Sequence, residues 1–115
     1  MKLVLNKAYG GFGLSDGATR HLAALKGIQL FEKDCEFWTE FYLDPAHSLP
    51  FTAHDLDRTD PDLIRVVEEF GALANGSASR LEIIDLHSGQ QYRICEYDGK
   101  EWLELPSDIK WETAA

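Results

Sequence analysis

The chain has 115 residues, of which 44% are apolar, and it carries a formal net charge of −9. A chain of this length can bury a core without help from a metal or a disulfide, so we expect a single domain over residues 1–115. No apolar run is long enough to span a membrane and the first residues lack a secretory signal, which predicts a cytoplasmic protein with no membrane partner.

The charge is distributed unevenly along the chain. Residues 1–30 hold four bases and one acid, whereas residues 31–115 hold seven bases and nineteen acids. Such an acidic surface repels phosphates, so direct binding of nucleic acid is disfavoured. It attracts a protein with a basic surface, although an acidic composition also serves solubility alone.

The first third predicts a strand followed by a helix. Residues 2–6 form a short run rich in leucine and valine that is typical of a strand, and the glycine-rich residues 9–13 predict a loop. Ser15 is a suitable N-cap for a helix over residues 16–26, and Gly27 is a suitable stop.

The middle of the chain predicts further strands. Residues 28–31 suit a short strand. The aromatic-rich residues 35–43 alternate between an apolar face and a mixed face, which favours one strand covered on one side. Residues 44–60 are polar or contain proline, and they predict an irregular segment.

A second helix is indicated after residue 60. Asp60 is a suitable N-cap, and Pro61 occupies the first helical position, where its missing N–H is harmless. Asn75 and Gly76 predict the end of this helix. Its buried stripe is expected to comprise Leu63, Val66, Val67, Phe70 and Leu73.

The last third predicts three strands over residues 80–86, 91–97 and 101–105, with a hairpin turn at Asp98-Gly99. The C-terminal tail is expected to be frayed, unless Trp111 pins it to the body. The fold class is therefore α+β, with two helices packed on a mainly antiparallel sheet that ends in a three-stranded meander.

Carboxylates interleaved with aromatic side chains are the first candidates for function. Such a surface can dock on a basic groove or imitate a nucleic acid strand. The alternative is that the aromatic rings lie in the core and the acids in water. The residues expected to bind a partner are Glu36, Trp38, Glu40, Tyr42, Glu68, Glu69, Glu96, Asp98, Glu101 and Glu104.

The glycine-rich loop before the first helix is the second candidate. Free N–H groups at a helix N-terminus favour an anion, and glycines let the backbone approach it closely. The alternative hypothesis is thus a small-ligand module that binds a phosphate-bearing molecule through Gly10, Gly11, Gly13 and Ser15. The loop matches neither a P-loop nor a complete GxGxxG motif, and a tight crossover would need the same glycines.

Catalytic and metal-binding patterns are sparse. Cys35 and Cys95 form no CxxC pair and are interpreted as reduced thiols. His54, Asp55 and Asp57 are ligand types without a known metal-site spacing, and a metal-dependent enzyme built on them is a third hypothesis. We predict no catalytic residue, no metal and no cofactor.

Two motifs in this chain resemble those of a known family. They are Asn6–Ser15, of the form NKxYGGFGLS, and Glu96–Glu101, of the form EYDGxE. Together with residues 60–63 and 66–71, they resemble a family of small uncharacterised phage and prophage proteins over about half of the chain. That family often has a cysteine where this chain has Ala8, and residues 32–59 do not take part in the resemblance.

The resemblance implies a phage or mobile-element origin and a location in the cytoplasm of the host cell. It carries no catalytic residue with it. By analogy with small acidic phage proteins, anti-CRISPR proteins among them, we expect a non-enzymatic protein that inhibits or modulates a host or defence protein with a basic surface.

Overall fold

The chain alternates helices with short antiparallel strands in the computed structural model, which describes residues 1–115. This confirms the α+β class. The elements are β1 (Lys2–Asn6), α1 (Asp16–Leu25), β2 (Phe31–Asp34), β3 (Thr39–Tyr42), α2 (Pro61–Phe70), β4 (Leu81–Asp85), β5 (Arg93–Tyr97) and β6 (Lys100–Glu104).

The strands form three separate two-stranded sheets, so the prediction of one sheet ending in a three-stranded meander is wrong. β4 pairs with β1, in a register that runs from Lys2 opposite Asp85 to Asn6 opposite Leu81. β5 pairs only with β6, across the expected Asp98-Gly99 turn. The first strand is nearly all buried, and pairing with it covers more apolar surface on β4 than pairing with the exposed β5 would.

The aromatic-rich segment is a hairpin and a turn, where the sequence predicted one strand. β2 and β3 pair from Phe31 opposite Tyr42 to Asp34 opposite Thr39. Residues 35–38 form the turn between them, and the Cys35 N–H donates to the Trp38 carbonyl over 2.8 Å. None of these four residues is a glycine or a proline, so the sequence contains no sign of the reversal.

Both helices begin at the predicted caps. The Ser15 hydroxyl accepts the Ala18 N–H over 3.2 Å, and the Asp60 carboxylate accepts the N–H groups of Asp62 and Leu63. α2 ends earlier than predicted, at Gly71, whose φ of 56° suits a residue without a side chain. A 3-10 turn follows, so that Leu73 points into solvent instead of joining the buried stripe.

The core lies where α1 and α2 pack on β1 and β4. Its fully buried side chains come from β1, α1 and α2, as expected from their apolar spacing, and from the 3-10 turn after α2. The main members are Val4, Ala18, Leu22, Leu63, Val66 and Ala74. Neither helix is long and apolar enough to cross a membrane.

The molecule is elongated because its two hairpins lie beside this core and not within it. Its axes measure 62 × 28 × 25 Å, and its radius of gyration is 16.6 Å. A compact domain of this length would have a radius of gyration of about 13 Å. Trp111 is 86% exposed, so it does not pin the tail to the body.

Candidate functional site

The turn of the β2–β3 hairpin presents two adjacent aromatic rings to solvent. Phe37 is 83% exposed and Trp38 is 59% exposed, and the exposed Glu36 precedes them. We call residues 35–38 the hairpin tip. Large exposed apolar side chains that lie side by side are unusual on a monomer and are typical of interaction sites.

The base of this hairpin is anchored to α1, which leaves the tip free. Arg20 on α1 donates two hydrogen bonds to the Glu32 carboxylate, over 2.8 and 3.1 Å. Its guanidinium carbon also lies 5.6 Å from the centroid of the buried Phe41 ring. The hydrogen bond from Arg20 lowers the pKa of Glu32, because it favours the charged carboxylate.

The carboxylates nearest the tip have no ion-pair partner. Asp34, Glu36 and Glu40 have no cationic nitrogen within 4.0 Å, although Lys33 lies opposite Glu40 in the strand register. Glu40 instead accepts hydrogen bonds from neutral groups on the same hairpin. Its unpaired charge, like that of Glu36, is available to a basic partner.

Glu40 interacts with a thiol and a phenol. The Cys35 Sγ and the Tyr42 Oη each donate to Glu40 Oε1 over 3.3 Å. Burial and the nearby Glu40 carboxylate raise the pKa of Cys35 and the pKa of Tyr42. The Cys35 thiol therefore stays protonated near neutral pH and is a poor nucleophile.

Tyr42, an expected partner-binding residue, is more constrained than Trp38. Its side chain is half-buried, and its ring lies against the His47 ring with 4.9 Å between the centroids. Tyr42 thus supports the hairpin and is less free than Trp38 to contact a partner. Phe37 is the residue that sequence reasoning missed, because the alternation placed it on the buried face of a single long strand.

The expected acids on α2 are already paired within the fold. Glu68 accepts from Lys2 over 3.0 Å. Glu69 accepts from Arg65 over 2.8 Å and contacts His21 over 3.1 Å. These exposed pairs neutralise much of the charge that this helix would present to a partner.

The expected acids on the last hairpin have different environments. Glu96 and Asp98 are exposed and unpaired. Glu104 pairs with Arg93. Glu101 is only 6% exposed and pairs with Arg58, so it serves the fold and presents no charge to solvent. The expected partner-binding residues therefore do not form one surface. Glu36, Trp38, Glu40 and Tyr42 lie on the β2–β3 hairpin, whereas Glu96 lies opposite Glu101 on the last hairpin.

The glycine-rich loop forms hydrogen bonds that connect distant parts of the fold. The Gly10 N–H donates to the Asp98 carbonyl over 3.0 Å, and the Gly13 carbonyl accepts from Gly76 and Ser79. Gly10 has a φ of +108°, and a Cβ there would lie 2.8 Å from the Ala78 Cβ. The hydroxyl of Ser15 donates to the Leu73 carbonyl and accepts from Ala18.

These contacts provide a structural reason for Gly10 and Ser15, while no atom lies within 4 Å of the Cβ position at Gly11 or at Gly13. Asp16 adds a negative charge at the first turn of α1, which opposes an anion there. The phosphate hypothesis stays a prediction for which the geometry offers no support.

The residues considered for a metal-dependent enzyme do not converge. No group of three or more His, Cys, Asp or Glu side chains is arranged to hold a metal ion. His54 lies beside Phe12, with 6.4 Å between their ring centroids. Both cysteines are free thiols, as interpreted from the sequence.

Comparison with family models, with curated proteins and with solved structures yields no match for this chain. The resemblance to phage and prophage proteins therefore stays a prediction.

Proposed function

We propose that this chain is a non-enzymatic, phage-type binding protein that docks on a basic surface of a host or defence protein and inhibits or modulates it. The observation that carries the proposal is the hairpin tip, with Phe37 and Trp38 exposed beside unpaired carboxylates. The tip is an anchor that enters a groove, and the anchored base of the hairpin holds it in place.

The aromatic rings supply the attraction for this docking. Burying one large apolar side chain contributes about 1.5–3 kcal/mol relative to leaving it in water. Tryptophan in particular is enriched among the few residues that dominate the energy of an interface. Because the turn that carries both rings is closed by paired strands, little backbone entropy is lost when they bind.

The carboxylates determine which kind of partner protein is preferred. The chain has a net charge of −9, and Asp34, Glu36 and Glu40 contribute unpaired charge next to the rings. Carboxylates beside aromatic rings imitate the phosphates and bases of a nucleic acid, so a nucleic-acid-binding groove of a host protein suits this surface. The complex is expected to weaken with salt, since the attraction is partly Coulombic.

The proposal is tested with the double variant Phe37→Ser/Trp38→Ser. We expect the immobilised wild-type chain to retain one basic protein from a bacterial lysate at low salt and to release it at about 0.5 M salt. With that protein purified, the double variant should bind at least about tenfold more weakly, since both anchors are lost. Calorimetry measures the two affinities.

The matched control is Trp111→Ser, which removes an even more exposed tryptophan from the tail. Its affinity should equal that of the wild type, and thermal melts should show that all variants are folded. Equal retention of the partner by the tip variant, or binding insensitive to salt, would show that the tip is not the docking site.

A further inference from the structure

Three aromatic rings and one lysine surround an open hollow beside the turn of the last hairpin. The hollow measures about 500 Å³, and its wall consists of Tyr9, Tyr97, Lys100 and Trp102. Each ring is largely exposed: Tyr9 to 60%, Tyr97 to 71% and Trp102 to 41%. Exposed rings that cluster on one surface are typical of an interaction site.

The strand register explains why these side chains lie together. Tyr97 lies opposite Lys100, and Trp102 follows two residues later on β6, so all three project from the same face of the hairpin. The intervening Glu101 projects from the other face, where it is buried and pairs with Arg58. The aromatic face is therefore the one that points away from the body.

Tyr9 reaches the hollow from the glycine-rich loop. The Gly10 N–H donates to the Asp98 carbonyl over 3.0 Å, which holds the preceding Tyr9 beside the hairpin turn. The Lys100 ammonium lies 5.3 Å from the centroid of the Tyr9 ring, within the range of a cation–π contact. The hollow thus combines residues that are far apart in the chain.

Lys100 carries a positive charge that the chain does not neutralise. Its Nζ has no carboxylate oxygen within 4.0 Å. The contact with the Tyr9 ring positions the ammonium and leaves its N–H groups free to donate to an anion. The other charged residues on this face, Arg93 and Glu104, pair with each other. The hollow therefore offers one free cation among three rings.

These side chains suit a flat ring that bears an anionic group. Nucleobases stack on tyrosine and tryptophan rings, and a lysine ammonium binds phosphate. A quaternary ammonium also favours a cluster of aromatic rings, but the charge of Lys100 repels it. A strand with many phosphates is repelled by the net charge of −9 and by Asp98 in the turn. Pockets for small ligands measure about 300–1,000 Å³, so the volume suits a single nucleotide.

We propose that this hollow binds a mononucleotide, with the base against the rings of Tyr97 and Trp102 and the phosphate at Lys100. The site goes beyond the proposed docking on a host protein, which uses the other hairpin. It also differs from the phosphate site predicted at the glycine-rich loop, because side chains and not backbone N–H groups bind the ligand.

Titration of the wild type with adenosine monophosphate tests this site. In ¹H–¹⁵N correlation spectra, we expect shifts at the backbone amides of residues 9 and 97–102 and at the Trp102 indole N–H. The indole signals of Trp38 and Trp111 are internal controls and should not move. Adenosine should bind about fivefold more weakly than its monophosphate, because it lacks the charge that Lys100 recognises.

Two variants separate the roles of the charge and the rings. Lys100→Gln should lower the affinity for the monophosphate about fivefold and leave that for adenosine unchanged. Lys110→Gln is the matched control, since it removes an exposed lysine from the tail and should change neither affinity. Trp102→Leu should weaken the binding of both ligands about tenfold, because it removes a stacking surface. The spectra also show whether each variant is folded.

The proposal is overturned if the monophosphate causes no shift at the hairpin or shifts residues 13–19 instead. Equal affinities for adenosine and its monophosphate would show that Lys100 binds no phosphate. Larger shifts at the hairpin with tetramethylammonium would identify a cation site, and tighter binding of a short oligothymidylate would identify a strand site; each contradicts a mononucleotide. None of these results bears on the hairpin tip, whose test uses Phe37 and Trp38.

Discussion

Arg58 lies at the junction between the loop before α2 and the last hairpin. Its carbonyl accepts the Val4 N–H over 2.9 Å, and its guanidinium carbon lies 3.7 Å from the centroid of the Phe12 ring. The guanidinium also pairs with Glu101, and little of either side chain is exposed. Glu101 in turn accepts the N–H of the buried Asn6 over 2.8 Å. One arginine thus connects β1, the glycine-rich loop and β6.

Replacing Arg58 by alanine is expected to destabilise the fold strongly. The variant would leave the Glu101 carboxylate buried without its cation, a change that costs about 3 kcal/mol in other proteins. Arg65→Ala is the control, since Arg65 pairs with Glu69 on the surface and its loss should cost less than about 1 kcal/mol. Urea unfolding measures both, and similar losses would contradict this role of Arg58.

At the scale of the element, the start of α2 combines a cap with a buried charge. Asp60 accepts the N–H groups of Asp62 and Leu63 over 3.0 Å each, and it accepts from Lys26 over 2.7 Å. Burial opposes the charged form of Asp60. The hydrogen bonds from Lys26 and from the two amides outweigh it, so the pKa of Asp60 lies below its usual range.

This lowered pKa makes part of the stability dependent on pH. Because the native pKa is below the unfolded value of about 4, the stabilisation is complete above that pH and is lost as the pH falls through the native value. Asp60→Asn keeps an N-capping side chain but removes the charge. The variant should be less stable than the wild type at about pH 6, and the difference should shrink at about pH 3.

Unfolding by urea at the two pH values measures that difference. Other native carboxylates, such as Glu32 and Asp44, also have a lowered pKa, so both proteins will lose stability in acid. Only the difference in stability between the wild type and Asp60→Asn reports on the charge of Asp60. A gap that stays constant or widens toward acid would contradict the assigned charge.

At the scale of the whole molecule, the last hairpin is attached to the body through its turn. The Asn6 side chain donates to the Gly99 carbonyl over 2.7 Å, and Gly10 donates to the Asp98 carbonyl. Gly99 has a φ of +87°, and a Cβ there would lie 2.6 Å from the Gly11 Cα. The backbones of two distant loops are therefore in direct contact at this point.

A methyl group at Gly99 should detach the hairpin. Gly99→Ala introduces strain at a positive φ and a clash with the glycine-rich loop, whereas Gly89→Ala at a φ of +86° meets no atom within 4 Å. Both variants should lose about 1 kcal/mol from the strain, and only Gly99→Ala should lose more. Unfolding measures the stability, and amide exchange should show faster opening of β5 and β6. Equal losses in the two variants would contradict this attachment.

The local signals in the sequence determined the elements. Ser15 and the Asp60-Pro61 pair marked where both helices begin, because capping depends only on residues within one turn. The Asp98-Gly99 pair marked a hairpin, because few other residues adopt positive φ angles at two successive positions. The acidic composition indicated the kind of partner that we propose, but not the surface that would meet it.

Only the tertiary structure decided which strands pair and which side chains are free. β4 joins β1 and not β5, and residues 35–38 turn instead of continuing a strand. Alternation along a strand indicates that one face is covered, but it does not indicate which element covers it, because that element lies far away in the chain. For the same reason Phe37 proved exposed and Glu101 buried: burial is set by distant neighbours, and these became known only when the hairpins were placed on the core.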